Sequence, residues 1–496
     1  MVSKLKINSR RELSKRDKKI FGQFLEHFHR QIYGGIYDPT SAFSENNGFR
    51  QDVLEALKRI QVPIIRWPGG CFVSAYHWKD AIGKQRTPYF DKAWRVEESN
   101  EFGTDEFIEY CLLLGAEPYI CTNAGTGSAE EMSDWVEYCN LPSEGKWAKL
   151  RIENGHPAPY KVKYWSIGNE NYGHWEMGAK DVKEWGRFVR ESAKMMKRVD
   201  PTIELMAASI SDLDWNLDLL REAGQYLDWI SIHDYWDKVQ ENNDLSDYET
   251  CMAYTMDIEQ PILKTKYILG SLGYLGKIRI AYDEWNLRGW HHPHVNSGTE
   301  DYLTPRDKND INSSYTMADA VFTACFLNQC LKHSDVVGMA NFSPIVNTRG
   351  AIFTHQEGIV LRPTYFVFEL YTRYLGDIIV DSWLSESSIF HVDTANMTKS
   401  IPNVDAIATK RSGSEGLRVA LINRHPDQAE SVTVQLDSSI QYSNAVLYSV
   451  VGDSKDAYND IGKEHVRIIE QHLNWKIPSD LTVEIQPHSV NVLVIK

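Results

Sequence analysis

The sequence predicts an α/β fold: a (β/α)8 TIM barrel over residues 18–376, followed by an all-β, jelly-roll-like sandwich over residues 377–496. Three observations predict it. From about residue 20 to 376, eight short apolar runs alternate with eight helix-like segments, the pattern of a parallel barrel. No glycine-rich phosphate turn follows the first run, although the rival open doubly wound sheet usually carries one. After about residue 377 the helical period stops, and short runs rich in β-branched residues take over between turn residues, as in a sandwich.

The N-terminal stretch "SKLKINSR" alternates like a strand, and residues 1–17 are expected to join the sandwich. The eight barrel strands are then read in order as "IFGQFLEHF", "VPIIRWPGG", "AEPYICTNAG", "VKYWSIGNE", "IELMAAS", "DWISIHDY", "IRIAYDEWN" and "VVGMANFSP". The helices between them begin with "QDVLEALKRI", "TDEFIEYCLLLG" and "EEMSDWVEYC". The fourth, "DVKEWGRFVRESAKMMKRVD", has the clearest 3.6-residue period. "WNLDLLREAG", a single long helix over "YETCMAYTMDIEQPILKTKYILG", "SYTMADAVFTACFLNQCLKHS" and "PTYFVFELYTRYLG" complete the set. The sandwich is read from "LRVALINRH", "SVTVQL", "NAVLYSV", "LTVEI" and "VNVLVIK".

Composition narrows the function. Hydrophobic residues make up 42% and charged residues 24%, an ordinary globular balance. A formal net charge of -15 repels polyphosphate and anionic lipid, which argues against nucleic acid or a membrane as partner. No run approaches the eighteen apolar residues of a membrane span. Fifteen Trp and 25 Tyr suit the flat faces of sugars, although aromatics more often fill cores. Seven scattered Cys, with no C-x-x-C pair, read as reduced thiols rather than a disulfide framework or zinc site. The N-terminus lacks a signal-peptide core, so a cytoplasmic protein is expected. "HHPH" at 291–294 reads as loop: no Cys or carboxylate completes a metal set with it. No metal and no cofactor is expected.

Two apolar strands end in glutamate: Glu170 closes the fourth and Glu284 the seventh. In a barrel, both would face one pit at the C-terminal ends of the strands. Glycoside hydrolysis needs such a pair, one carboxyl protonated to assist the leaving oxygen and one ionised to attack. Neighbouring acids also push their pKa values apart. A lone glutamate at a strand end is more often an ion-pair partner. Two such ends, each with an Asn within two residues, favour function, and at this level metal binding or isomerisation stays open.

"GNE" in the fourth strand and "DEWN" in the seventh resemble the signature of retaining glycosidases of the large barrel clan. "FLEHFHRQIYGGIYD" and "RWPGGCFVSAYHWKDAIG" narrow the resemblance to the family 51 α-L-arabinofuranosidases. It covers nearly the whole chain, with four motifs in order. The resemblance implies a retaining, exo-acting enzyme that releases terminal arabinofuranose from arabino-oligosaccharides or arabinoxylan fragments, often as a homo-oligomeric hexamer. It implies Glu170 as general acid/base and Glu284 as nucleophile. Asn169 would bind the sugar 2-hydroxyl, and Tyr235 would hydrogen-bond the nucleophile with His233 orienting that end. Glu26 would bind sugar hydroxyls, Arg66 would steady the nucleophile, Cys71 would touch the sugar and Trp94 would cover the pocket mouth.

Plainer readings stand beside these. Arg66 suits a structural cation, Cys71 a core filler, Trp94 loop packing and His233 a satisfied buried histidine. Two positions depart from the family pattern. Arg288 stands where many members have Trp four residues after the nucleophile, with Trp290 two further on. Pro363 stands where many have a sugar-contacting Gln. These departures keep open an endoglucanase or β-xylosidase of the same clan. A catalytically silent sugar-binding barrel is the rival outside enzymes.

Overall fold

The computed structural model describes residues 2–238, 244–289, 310–395, 397–414, 416–436, 444–473 and 480–496. Eight strands close a barrel: Gly22–Phe24, Ile64–Trp67, Glu117–Thr122, Tyr164–Ile167, Glu204–Ala208, Trp229–Lys238, Arg279–Gly289 and Val337–Phe342. All neighbouring pairs are parallel, and the eighth strand pairs back onto the first. Each overlaps one of the apolar runs. The interior is packed: Ile64, Tyr119, Tyr164, Met206, Trp229, Ala281 and Met339 form one buried layer, a residue from each strand but the first. This apolar layer is the floor on which the polar residues stand.

The helices wrap the barrel by burying one stripe each. In Val182–Val199, Asp181 caps the N-terminus by accepting from the backbone N–H groups of Lys183 and Glu184, satisfying two otherwise orphaned donors. Trp185, Val189, Ala193 and Met196 recur at helical spacing and are buried, each large side chain contributing roughly 1.5–3 kcal/mol. The long helix expected over residues 248–270 is two helices, Tyr248–Tyr254 and Glu259–Ser271. Pro261 accounts for the break. It is the third residue of the second helix, where a missing N–H costs nothing, whereas in a helix interior it would remove a hydrogen bond and clash. The helix Gly145–Glu153 and the hairpins Tyr89–Asp91/Val96–Glu98 and Ile352–His355/Gly358–Leu361 are additions to the expected elements.

The C-terminal strands form a nine-stranded sheet in the order Val466–Leu473, Ala445–Gly452, Ser489–Ile495, Leu417–Asn423, Val404–Lys410, Ile378–Glu386, Val2–Lys15, Glu430–Leu436, Leu481–Ile485. Strand Val2–Lys15 is antiparallel to Ile378–Glu386 and parallel to Glu430–Leu436. Alternate residues point to opposite faces of a strand. Leu417, Val419 and Leu421 face one buried cluster that also holds Leu447 and Val483, from opposite ends of the strand order, so the sheet is rolled upon itself. Ala420 and Ile422 point the other way, into the same hydrophobic cluster as the barrel and its helices Met317–Lys332 and Pro363–Tyr374. Barrel and sheet therefore share one continuous core.

Candidate active site

Above the apolar floor stands a polar layer. Asp283, fully buried, accepts from Tyr119 Oη and from Ser231 Oγ (2.6 Å). It faces Arg66 Nε and His233 Nε2, each at 3.4 Å. Burial pushes its carboxyl up, but Arg66 and His233 prevail and bring it down to about 2. Arg66 divides its guanidinium between two acceptors: Nη1 donates to Glu284 Oε2 at 2.6 Å and Nη2 to Asn169 Oδ1 at 2.7 Å. Burial opposes its charge, but Cys121, Asp283 and Glu284 outweigh it and raise its pKa well above the usual value.

The two glutamates stand at this level. Glu284 Oε1 accepts from Tyr235 Oη at 2.7 Å, and Ser343 Oγ lies 2.9 Å from the same phenol oxygen. The Arg349 guanidinium lies over the Tyr235 ring, 5.0 Å from its centroid. Glu170 leaves the fourth strand with φ 41° after Gly168 at φ 72°. A Cβ at Gly168 would meet Asn171 Oδ1 at 2.1 Å, so only glycine makes this exit. A left-handed non-glycine residue costs roughly 1–2 kcal/mol, a strain typical of functional positions. Glu170 Oε1 pairs with His233 Nδ1 at 2.9 Å and Oε2 accepts from Trp175 Nε1 at 2.7 Å.

One oxygen of Glu170, one of Glu284 and a ring nitrogen of His233 all lie within 4.8 Å of one another. The histidine decides the charge state. Burial disfavours its proton, but Glu284, Asp283 and Glu170 surround it and raise it to about 10. Burial likewise pushes Glu170 up, but the His233 hydrogen bond and charge, with the Trp175 indole, win and hold it below the ordinary carboxylate range.

Glu26 follows the first strand. Its Oε1 accepts from Gly70 N (3.0 Å), Phe72 N (3.1 Å) and Trp94 Nε1 (3.1 Å). Burial first, then the Glu284 charge, raise Glu26 to about 8. A Cβ at Gly69 would meet Glu26 Cγ at 2.4 Å, which explains the glycine pair of "RWPGG". Trp94 is buried, its ring 4.1 Å from that of Phe28, so its indole holds Glu26 from beside the pocket. Cys71 is half-buried, and its Sγ lies within 4.8 Å of an oxygen of Glu170 and of Glu176. Burial, then the charges of Glu176, Glu170 and Glu26, push its thiol well up.

The residues singled out in sequence thus come together around one opening: Glu26, Arg66, Cys71, Trp94, Asn169, Glu170, His233, Tyr235 and Glu284. Two departures resolve. Arg288 is buried, paired with Asp237 (2.6 Å) and Asp319 (3.0 Å), and serves as a structural cation. Pro363 is the buried first residue of its helix and has no hydrogen to donate. Trp290 and His291 to His294 lie outside the described residues. Sequence reading missed Asp283, Trp175, Glu176 and Arg349. Asp283 adjoins Glu284 in "YDEW", a signal that was available; the other three sit on loops without periodicity.

A barrel that delivers two glutamates to one mouth, with a cation on each, has the equipment to cleave a glycosidic bond: the protein is a glycoside hydrolase. Its relatives narrow the class. A family profile described as "Alpha-L-arabinofuranosidase 1 domain" matches residues 56–252, and one described as "Alpha-L-arabinofuranosidase C-terminal domain" matches 283–489. The intracellular exo-α-(1→5)-L-arabinofuranosidase of Halalkalibacterium halodurans is 32% identical over 95% of this chain and 91% of its own. The crystal structure of an α-L-arabinofuranosidase from Thermotoga maritima in complex with arabinose is 36% identical, with TM-score 0.89 over 99% of both chains. That of a thermostable family 51 α-L-arabinofuranosidase from Thermotoga petrophila is 35% identical, with TM-score 0.86 over 100% of both. The chain belongs to the family 51 α-L-arabinofuranosidases.

Proposed function

We propose that the chain is a retaining, exo-acting α-L-arabinofuranosidase that removes terminal arabinofuranose from arabino-oligosaccharides or arabinoxylan fragments. One observation carries the mechanism: oxygens of Glu170 and Glu284 approach within 4.8 Å. Retaining glycosidases hold their carboxyl groups about 5–5.5 Å apart, whereas inverting ones leave about 6.5–9.5 Å for a water.

In the first step a Glu284 oxygen bonds to the anomeric carbon as the bond to the leaving oxygen breaks. Glu170, held by His233 Nδ1 and Trp175 Nε1, gives its proton to that oxygen. The Tyr235 and Arg66 contacts at Glu284 aim its carboxylate and accompany it as its charge is lost to the ester. In the second step Glu170 takes a proton from water. The water oxygen bonds to the anomeric carbon, the ester opens and the Glu284 carboxylate returns. The glycosyl group passes from the leaving oxygen to Glu284 and then to water with proton transfer alone, steps that call on no cofactor.

The name of the Halalkalibacterium relative supports exo action and a cytoplasmic location. A homo-oligomer follows from the family resemblance, and sedimentation of the purified chain measures it. With Arg288 in its ion pairs, nothing among the described residues of the site favours the endoglucanase or xylosidase alternative. An aryl α-L-arabinofuranoside, an aryl β-xyloside and a β-glucan, offered in parallel, test the reading. Cleavage of the first, with the α-anomer released initially by NMR, is expected. Cutting of the β-glucan alone would overturn it. Glu284→Gln should stop turnover with the fold intact.

A further inference from the structure

Arg349 takes no part in the two steps of hydrolysis, yet the backbone that carries it is strained. It belongs to the turn after the eighth strand, where Asn347 and Thr348 hold φ 54° and 46°. A positive φ is an outlier for a β-branched residue, and such strain persists only where the surroundings impose it. Here they do. Arg362 Nη1 donates to Thr348 O at 2.6 Å and to Gly350 O at 2.9 Å. Asn347 donates to Arg30 O at 2.6 Å and accepts from Thr354 N at 2.8 Å. Asn286 donates to Ser343 O at 2.8 Å and to Arg349 O at 3.3 Å, which ties the turn to the strand of Glu284.

The guanidinium so placed is directed at one side chain. It lies 5.0 Å from the Tyr235 ring centroid, and its Nη2 is 3.4 Å from Tyr235 Oη. Its Nε and Nη1 are buried and meet no acceptor among the described residues, so little of its charge is spent elsewhere. A phenol has one hydrogen to give. Glu284, ionised for attack, can only accept, so its Oε1 takes that hydrogen at 2.7 Å. Ser343 Oγ, 2.9 Å from the phenol oxygen, must then donate to it, and a guanidinium can do nothing else. The phenol oxygen thus faces two donors and gives to one acceptor. Donors converging on a hydroxyl oxygen polarise its O–H and strengthen the bond it donates, and a cation over the ring acts in the same sense. Burial first, then the Glu284 charge, raise the phenol well above its usual value, and Arg349, followed by Ser343, opposes that rise.

We propose that Arg349 is a positioning residue that acts through Tyr235: it holds the ring and strengthens the hydrogen bond from the phenol to Glu284, so that this carboxylate departs more readily when the ester opens. The effect falls on the second step because Glu284 regains its charge there, and a donor already aimed at a developing charge stabilises it. This rests on the arabinofuranosidase reading and adds to it a residue whose influence needs no contact with the sugar.

A double-mutant cycle tests it. The substrate is a dinitrophenyl α-L-arabinofuranoside, whose leaving group needs no proton, so that kcat follows the opening of the ester and kcat/KM follows the first step. Wild type, R349M, R349K, Y235F and Y235F/R349M are compared after each one's thermal unfolding is checked, with R349Q in place of R349M if the latter fails to fold. R349M should lose roughly 3- to 30-fold in kcat, while kcat/KM holds within about threefold. R349K keeps a cation and should recover most of the loss. In the Y235F background, where the phenol oxygen is gone, R349M should change kcat by no more than about twofold. A loss seated in kcat/KM and equally large in both backgrounds would make Arg349 a substrate contact and overturn the inference. Equal losses in kcat that lysine does not rescue would mark a merely structural residue and overturn it too. A wild type that leaves the arabinofuranoside uncut sinks the functional reading and this inference together. A wild type that cuts it, with R349M unchanged, sinks this inference alone.

Discussion

Glu26→Gln offers a direct measure of the electrostatics at this opening. The carboxyl is fully buried, beside Glu284, and raised from 4.5 to about 8. Its three donors all point at Oε1, so the proton belongs on Oε2, where glutamine places an amino group. The variant therefore imitates the protonated state. A carboxyl raised in the fold contributes stability that is complete below its unfolded pKa and is lost as pH rises through its folded pKa. Between those limits the unfolded chain has released the proton while the native one keeps it. Wild-type stability then falls by about 1.4 kcal/mol per pH unit from this group alone. E26Q escapes the loss, so its stability relative to wild type should grow by about 2.7 kcal/mol from pH 5 to pH 7. Urea unfolding of both proteins at pH 5, 6 and 7, followed by tryptophan fluorescence, reads the difference. Parallel stabilities across that range, or a gap that closes with rising pH, would refute the reasoning.

Three further outcomes are expected. Glu170→Ala should slow release of an alkyl or sugar leaving group by roughly 10²- to 10⁴-fold, yet spare the burst with a dinitrophenyl leaving group, which needs no proton. Tyr235→Phe removes the donor to Glu284 Oε1 and should cost roughly 10- to 100-fold in kcat with KM nearly unchanged; a change in KM alone would contradict the assigned contact. Arg288→Met should destabilise by about 3–5 kcal/mol, because Asp237 and Asp319 stay buried without their cation. Its KM for an aryl arabinofuranoside should hold within about twofold, since the same principle makes this a stability effect.

The barrel was legible in sequence because strands buried on both faces read as continuous apolar runs, each followed by an amphipathic stretch. The sandwich was less so. Strands Ile378–Glu386 and Val466–Leu473 leave many side chains exposed or half-exposed, which blurs their alternation. Glu170 and Glu284 were visible because each interrupts an apolar run with charge. Arg288 was misleading for the same reason: an ion triplet deep in the core and a residue in the mouth both appear as charge in an apolar strand. Glu176, which touches Asn169 only because the loop doubles back, had no periodic signal. The role of His233 was legible only in part, since its charge depends on three carboxylates brought from two other strands.

The strand Val2–Lys15 lies between Ile378–Glu386 and Glu430–Leu436, and this has a cost in time. A ribosome makes it first and its partners roughly 400 residues later, an interval of roughly 20 to 80 s at ordinary elongation rates. Throughout that interval the nascent chain carries an open β-edge ahead of a growing barrel. The lysines and arginines of "SKLKINSRRELSK" are the sort of charges that discourage such an edge from pairing with a stranger. In the finished fold the same charges are answered: Lys4 pairs with Glu386, Arg11 with Asp381 and Lys15 with Asp377.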